Sequence, residues 1–372
     1  MKIAMFLGNA GKNSGGMEVY EMELVRGLMK IDASNSYHIY CMFPGGPEKI
    51  GPAPPNFTYH VLQPQNQVLS ISMTLPMALR YLQPDAVHST FVPPLFVPPR
   101  MAYTLPCSAV FAHPQMYPWA IRMRLLALCG LGIKRADAVV CVSQHVREYL
   151  MSNKGVTADR LPVTPLGVNR CFRPQPDDAI DAVVKEKYGI HDPYFLFSGR
   201  WEERKNVVRM VEAFGQFKRE DRTGTKLVFT GDRCLLGPVV DEKVRRLGLE
   251  KEVIDTGKSP LEDLPPLYAG ATALIFPSLW ESFGLPIVEA MKCGTPVISS
   301  NLSCIPEVAG EAAVLVDPYK TEEIAEAMFR VSIDPELRAR MSTAGLKRSE
   351  LYNWENTAAK TLEVYERLAS RS

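Results

Sequence analysis

The stretch Pro277-Ser-Leu-Trp-Glu-Ser-Phe-Gly-Leu-Pro-Ile-Val-Glu-Ala-Met-Lys-Cys-Gly-Thr-Pro296 constrains this chain more than any other. The apolar run Ala271–Phe276 before it has the length and boundaries of a buried strand, and Val297–Ser300 after it predicts another. Between them Pro286 suits the first turn of a helix, and Cys293-Gly294 suits its end. Strand, loop, helix and strand make one βαβ unit. The loop Glu281–Leu285 then falls at the C-terminal edge of a parallel strand, where open α/β sheets bind ligands. Its backbone N–H groups lead into a helix N-terminus, a natural place for an anion such as a diphosphate. Glu281 in the loop and Glu289 in the helix are carboxylates suited to accepting hydrogen bonds from sugar or ribose hydroxyls. A lone glutamate is ordinarily a solvated side chain, and Phe283, Leu285, Ile287 and Val288 read as core. What departs from that ordinary reading is the pair of glutamates set among Gly284, Pro286, Gly294 and Pro296.

The same alternation runs through the rest of the chain. Ile3–Leu7 predicts a buried strand, followed by the glycine-rich Gly8–Gly16 and a helix with Met17, Tyr20, Leu24 and Leu28 on one face. That loop can receive a phosphate, although its glycines have neither dinucleotide-fingerprint nor P-loop spacing. Strands are predicted over Tyr37–Phe43, Phe57–Leu62, Asp85–Ser89, Ser108–Ala112, Ala138–Ser143 and Val163–Gly167, with Pro44–Asn56 a loop and Gln144–Met151 a helix. The proline-rich Pro93–Pro99, interleaved with large apolar residues, suits a loop lining a pocket. His113 ends the Ser108–Ala112 run; a single histidine is most often structural. Trp119–Arg135 reads as a helix with Ile121, Leu125, Leu128 and Leu131 inward and Arg122, Arg124, Lys134 and Arg135 solvated, or else as an interfacial helix on anionic lipid. Further on, Tyr194–Phe197 leads into Ser198-Gly-Arg-Trp-Glu-Glu-Arg-Lys-Asn206, a strand-to-helix loop whose Arg200 and Lys205 stand where cations grip a diphosphate. Leu227–Thr230 and Val253–Thr256 supply two more strand edges, at Gly231-Asp232 and Gly257-Lys258-Ser259. A last strand lies within Gly310–Asp317, before helices near Thr321–Arg330, Pro335–Glu350 and Trp354–Leu368.

With 372 residues the chain exceeds one ordinary core, and two domains are expected. No apolar run approaches a membrane span. Lys2–Gly8 is too short for a signal peptide, so a cytoplasmic protein is expected. The 8 cysteines show no metal-ligand or paired spacing and read as reduced thiols. Net charge is +1 overall, but residues 1–172 hold 15 Lys+Arg against 9 Asp+Glu, hence +6. A basic first half points to an anionic partner or membrane surface on that side; no nucleic-acid partner is expected.

The Pro277–Val297 stretch resembles the E-x7-E signature of retaining glycosyltransferases of family 4, commonly P-S-x-x-E-x-F-G-L-P-x-x-E-A-M-x-x-G-T-P-V, and matches it at nearly every position. Gly199-Arg200 through Lys205-Asn206 is similar to the family's G-R-x4-K-N motif, and Pro165–Asn169 with Phe172-Arg-Pro174 is similar to its inter-lobe linker. The resemblance implies an α/β fold of GT-B type, two doubly wound Rossmann-like domains facing each other across a cleft. It places the acceptor-side domain at 1–170, the nucleotide-sugar domain at 171–353, and a returning helix at 354–372. It implies transfer of a hexose from a nucleotide-sugar to a glycan or lipid-linked acceptor with retention. The donor site would comprise Gly15, Gly16, Ser198, Gly199, Arg200, Lys205, Lys258, Glu281, Ser282, Phe283, Gly284, Leu285 and Glu289. His113, Arg200, Lys205 and Glu281 would act on the reacting sugar and its diphosphate. The family usually has Asp after the histidine; Pro114 stands here, which leaves the detail of the His113 role open. No D-x-D triad occurs, so metal independence is expected and no cofactor. Ser278-Leu-Trp-Glu-Ser-Phe-Gly-Leu-Pro286 resembles the form common in mannosyltransferases using GDP-mannose, and the resemblance implies an enzyme of surface polysaccharide synthesis. A UDP-sugar transferase, an epimerase and a nucleotide-sugar-binding non-enzyme are the competing readings.

Overall fold

The computed structural model describes residues 1–12, 15–90, 93–94, 100–105 and 107–370. The predicted pocket-lining loop Pro93–Pro99 therefore lies largely outside the described residues. The chain divides into two compact units: Met1–Gly167 with Asn353–Ser372, and Val168–Tyr352.

In the first unit β1 (Lys2–Leu7), β2 (Ser36–Cys41), β3 (Phe57–Val61), β4 (Ala86–Thr90), β5 (Met101–Leu105) and β6 (Ala138–Cys141) form one sheet in the order β3-β2-β1-β4-β5-β6. Every recorded pairing is parallel. In the second unit β7 (Tyr194–Ser198), β8 (Lys226–Thr230), β9 (Val253–Asp255), β10 (Ala273–Phe276), β11 (Val297–Ser300) and β12 (Val314–Val316) repeat that order as β12-β11-β10-β7-β8-β9, again parallel. Starting at its own first strand, each sheet reads 3-2-1-4-5-6, the doubly wound arrangement. Strands buried on both faces need continuous apolar runs rather than alternation, which β1 and β7 supply: Ile3 through Leu7 and Tyr194 through Phe197 are all buried.

The Trp354–Ala369 helix belongs to the first unit, where it packs against the Gly16–Ile31 helix and against β4 and β5. Gly27 permits the approach, because a Cβ there would come within 2.8 Å of the Trp354 carbonyl oxygen. From this helix Tyr365 reaches His88 of β4, its hydroxyl 2.6 Å from Nδ1, while Nε2 lies 2.7 Å from Thr104 Oγ1. Tyr20 shares that threonine at 2.8 Å, so four elements meet in one buried polar chain.

Some predicted elements are revised. Ser108–Ala112 is not a strand; Ala109–Ala112 is a single helical turn, and the strand is Met101–Leu105 upstream. Both runs are apolar, but only Met101–Leu105 pairs on both sides, with β4 and β6. The Trp119–Arg135 helix buries Leu125, Cys129, Gly132 and Ile133, whereas Ile121 is exposed and Leu128 and Leu131 are half-buried, so the inward face is rotated from the predicted one. Val163 makes one bridge to Cys141 rather than a strand. Pro44–Asn56 contains the short helix Gly45–Ile50, and the Leu75–Leu82 helix was not anticipated. No helix among the described residues is long and apolar enough to cross a membrane.

Candidate functional site

In the second unit the strand order reverses between β7 and β10, and the loops leaving these two adjacent strands diverge there. Ser198 ends β7, and Gly199 follows with φ 146°. Three backbone bonds tie the neighbouring strand ends together: Gly199 N–H to Thr230 O at 2.9 Å, Trp201 N–H to Asp232 O at 2.8 Å, and Gly231 N–H to Gly257 O at 2.8 Å. The packing is tight enough that a Cβ on Gly231 would lie 2.1 Å from the Gly199 carbonyl oxygen. After Lys205 the chain turns left-handed at Asn206, φ 61°, and enters the Val207–Phe217 helix. The Asn206 amide donates to Pro277 O at 3.1 Å and Pro318 O at 2.7 Å. Leu279 N–H donates to Arg204 O at 2.7 Å. The β7 and β10 loops are thus fastened to each other by backbone and amide contacts before any charge is considered.

The charges then form an alternating ladder across the two loops. Arg200 Nη1 lies 3.4 Å from Glu202 Oε1, and Glu202 Oε2 is 2.9 Å from Arg204 Nε. Arg204 Nη1 reaches Glu281 Oε1 at 2.9 Å, and Lys205 Nζ reaches the same oxygen at 2.6 Å. Side-chain exposure falls along this ladder from 56% at Arg200 to 8% at Glu281 and Lys205. The Lys205 ammonium also sits 4.3 Å from the centroid of the Phe276 ring. Burial alone would raise the Glu281 pKa, but Arg204 and Lys205 outweigh it and hold the carboxyl below the usual range. Burial lowers Lys205, with Glu281 opposing it.

Glu289 is the other member of the pair. Gly284, φ 89°, caps the Leu285–Lys292 helix, and Glu289 projects from its second turn to accept a 2.8 Å hydrogen bond from the buried Tyr268 hydroxyl. Burial lifts its carboxyl to about 7, with Tyr268 and Lys205 working against the rise. Two carboxylates one short helix apart are therefore pushed in opposite directions. Ser198 hydrogen-bonds the same Tyr268. Ser282 and Phe283 are buried, Phe283 edge-on to Tyr352 at 5.4 Å, and Leu285 is half-buried at the start of the helix. Lys258 is exposed in the loop after β9, its charge acting on Asp232.

The predicted residues of the first unit occupy a different environment. In the loop after β1, the N–H groups of Gly8, Asn9 and Ala10 donate to the buried carboxylate of Glu21 at 3.1, 2.8 and 2.7 Å, and the Asn9 amide and Thr90 hydroxyl add 3.0 and 2.5 Å bonds. Gly11 N–H is taken by Glu18 at 3.0 Å. The expectation that this loop receives a phosphate is corrected for Gly8–Gly11, whose donors already hold the chain's own carboxylates. Gly15 and Gly16 lie beyond them, exposed, at the start of the Gly16–Ile31 helix. His113 is half-buried just past the Ala109–Ala112 turn, its N–H donating to Ala109 O at 2.8 Å, and burial lowers its pKa. Sequence reading passed over Glu21, Arg204 and Tyr268. Arg204 adjoins Lys205 in a loop where several charges look solvated, and nothing in the residue string distinguishes it.

Residues 14–170 match the family model described as Glycosyltransferase Family 4, and residues 183–348 match the one described as Glycosyl transferases group 1. The chain is 28% identical to the O-antigen chain mannosyltransferase B of Escherichia coli, over 83% of this chain and 79% of that one. It is also 28% identical to the serotype-specific mannosyltransferase WbdA of Escherichia coli, over 64% of this chain but only 30% of that longer protein. Among solved structures, sucrose-phosphate synthase from Thermosynechococcus elongatus superposes with a TM-score of 0.81 at 23% identity, over 100% of both chains. Anabaena Alr3699/HepE in complex with UDP-glucose gives 0.76 at 18% identity, also over 100% of both chains. At these identities the structural likeness is one of fold.

Proposed function

The chain belongs to the glycosyltransferases, family 4 in its first unit and group 1 in its second, with the GT-B fold, and on that premise we propose that it moves mannose from GDP-mannose to a glycan or lipid-linked acceptor, with retention and without a metal. The observation that carries the reading is the switch-point arrangement in which Lys205 meets Glu281 at 2.6 Å, with Arg200 at the open end of the same ladder and Glu289 on the adjoining helix. Similarity to the O-antigen chain mannosyltransferase B favours mannose as the first sugar to test.

In this reading the anomeric C–O bond breaks with its electron pair passing to the β-phosphate oxygen. Arg200, Lys205 and the N–H groups around Gly284 meet the charge that develops there. The acceptor oxygen bonds to the anomeric carbon from the same face, and its proton passes to the departing phosphate oxygen. Glu281 holds donor-sugar hydroxyls and Glu289 the ribose hydroxyls. Gly15 and Gly16 are assigned to the donor diphosphate and the acceptor, and His113 to the transferred sugar. The expected result for His113→Asn is retention of most of kcat; a loss of several orders would make it the base. The exposed Trp119, Ile121 and Met123, beside Arg122 and Arg124 on the Trp119–Arg135 helix, support peripheral contact with an anionic membrane face from the cytoplasmic side.

The test is a thermal-shift panel of GDP, UDP, ADP and their sugars, in EDTA and in Mg²⁺. A ligand at a hundred times its Kd adds about 2.7 kcal/mol, a readily measured shift. GDP-specific stabilisation that is equal in EDTA is expected. A UDP-specific shift would replace the donor, and no shift with any nucleotide would overturn the donor site.

A further inference from the structure

The two cations expected to bind the diphosphate stand at opposite ends of the charge ladder, Arg200 at the solvent end and Lys205 at the buried end. Between them lie Glu202, Arg204 and Glu281. Lys205 is committed to Glu281 Oε1, with the Phe276 ring centroid 4.3 Å from its ammonium. Drawn onto a phosphate oxygen, that ammonium shares its three N–H groups between two anions, and its hold on the carboxylate weakens. The carboxylate it leaves behind is buried, and a buried carboxylate with no cation takes up a proton.

We propose that Arg204 is a positioning residue: by holding Glu281 Oε1 through Nη1 it keeps that carboxylate charged and aimed while Lys205 is handed to the donor's diphosphate. Three features fit this assignment. Arg204 shares with Lys205 the single oxygen Oε1, so its bond persists when the lysine departs. It is itself fixed, by Glu202 Oε2 on Nε and by Leu279 N–H on its carbonyl oxygen. Its guanidinium does not deprotonate in a protein, unlike the buried Lys205 ammonium, which burial already disfavours. Among the described residues, these groups face Glu281 from neighbouring elements. Cys304 of the segment after β11 feels its charge, Ser303 Oγ accepts its backbone N–H at 3.1 Å, and Glu289 acts on the same site through Lys205. None of these is a second fixed cation.

The inference rests on the donor reading given above, and its test separates the two. GDP, UDP and ADP are each titrated calorimetrically into the wild type, Arg204→Met and Arg204→Lys, at pH 6 and pH 8, in buffers of different ionisation enthalpy. The wild type sets the baseline of proton exchange, including any from Glu289. Arg204→Met is expected to bind about tenfold or more weakly at pH 8 than at pH 6 beyond that baseline, with extra uptake approaching about one proton per site. Arg204→Lys, which keeps a cation but one that can deprotonate when buried, is expected to restore part of the baseline. Should Arg204→Met prove too unstable, Glu202→Gln, which frees the far side of the guanidinium, is expected to give the same linkage in smaller measure. Equal losses of affinity at both pH values with no extra proton uptake would overturn the proposal and leave Arg204 a brace of the loop. Failure of every nucleotide to bind the wild type would overturn the donor reading, and this inference with it.

Discussion

Glu281 and Glu289 stand eight residues apart on one loop and helix, yet their surroundings give them opposite tendencies. Glu281 is kept ionised by two cations, while burial lifts Glu289 to about 7 against the Tyr268 hydroxyl and the charge of Lys205. A carboxylate that accepts ribose hydroxyls loses acceptor capacity on protonation. Donor affinity is therefore expected to fall between pH 8 and pH 6, and Glu289→Gln to flatten that profile in a binding titration. The stability consequence has the opposite sign. A raised carboxyl pKa favours the folded state below the unfolded value of about 4.5, and that advantage is lost as pH rises through 7. Glu289→Gln should accordingly melt above the wild type at pH 8 and approach it at pH 5. Lys205→Met removes one cation but leaves Arg204 on Glu281, so a loss of about 1–3 kcal/mol in denaturant unfolding is expected. The same substitution should weaken nucleotide binding far more than it weakens the fold.

At the level of elements, the Trp354–Ala369 helix contributes more than apolar cover, because its Tyr365 hydroxyl completes the polar chain through His88 and Thr104. Tyr365→Phe would leave His88 Nδ1 buried without that partner, at a cost of about 1–3 kcal/mol measured by denaturant unfolding. Burial pulls His88 down to about 3. A histidine depressed in the folded state supplies stability that is complete above its unfolded value of about 6.5 and is lost as pH falls toward 3. Acid unfolding of the wild type should therefore begin below about pH 6.5, and a neutral replacement such as His88→Gln should blunt that dependence even where it lowers overall stability. These elements also show what the sequence could disclose. Strands of the second unit were legible because short apolar runs such as Tyr194–Phe197 are bounded by glycine loops. Around β5 the signal failed, since Met101–Leu105 and Ser108–Ala112 are both apolar and only pairing with β4 and β6 decides between them. The Leu75–Leu82 helix escaped notice because it presents Met77 and Tyr81 outward, blurring the apolar face that periodicity detects. In the site, Arg200, Lys205 and both glutamates carried a motif. Arg204 and Glu21 did not, since their importance lies in which oxygen or which N–H groups they meet.

For the whole molecule, the division into units is uneven in sequence: Val168–Tyr352 is continuous, whereas the other unit is assembled from Met1–Gly167 and Asn353–Ser372. The entire charge ladder, Tyr268 and Glu289 lie within the continuous unit. Expressed alone, Val168–Tyr352 is expected to fold cooperatively and to bind whichever nucleotide stabilises the full chain. Residues 1–167 alone would expose the faces that the Trp354–Ala369 helix covers and are expected to be unfolded or aggregated by circular dichroism and size-exclusion chromatography. The same asymmetry orders events on the ribosome. Synthesis delivers the first sheet early, yet its closing helix emerges only after the inserted unit has been made, so the second unit can reach its native state before the first. Through that interval the nascent first unit presents uncovered apolar surface, which makes it the part of the chain most dependent on chaperones and most sensitive to the pace of translation.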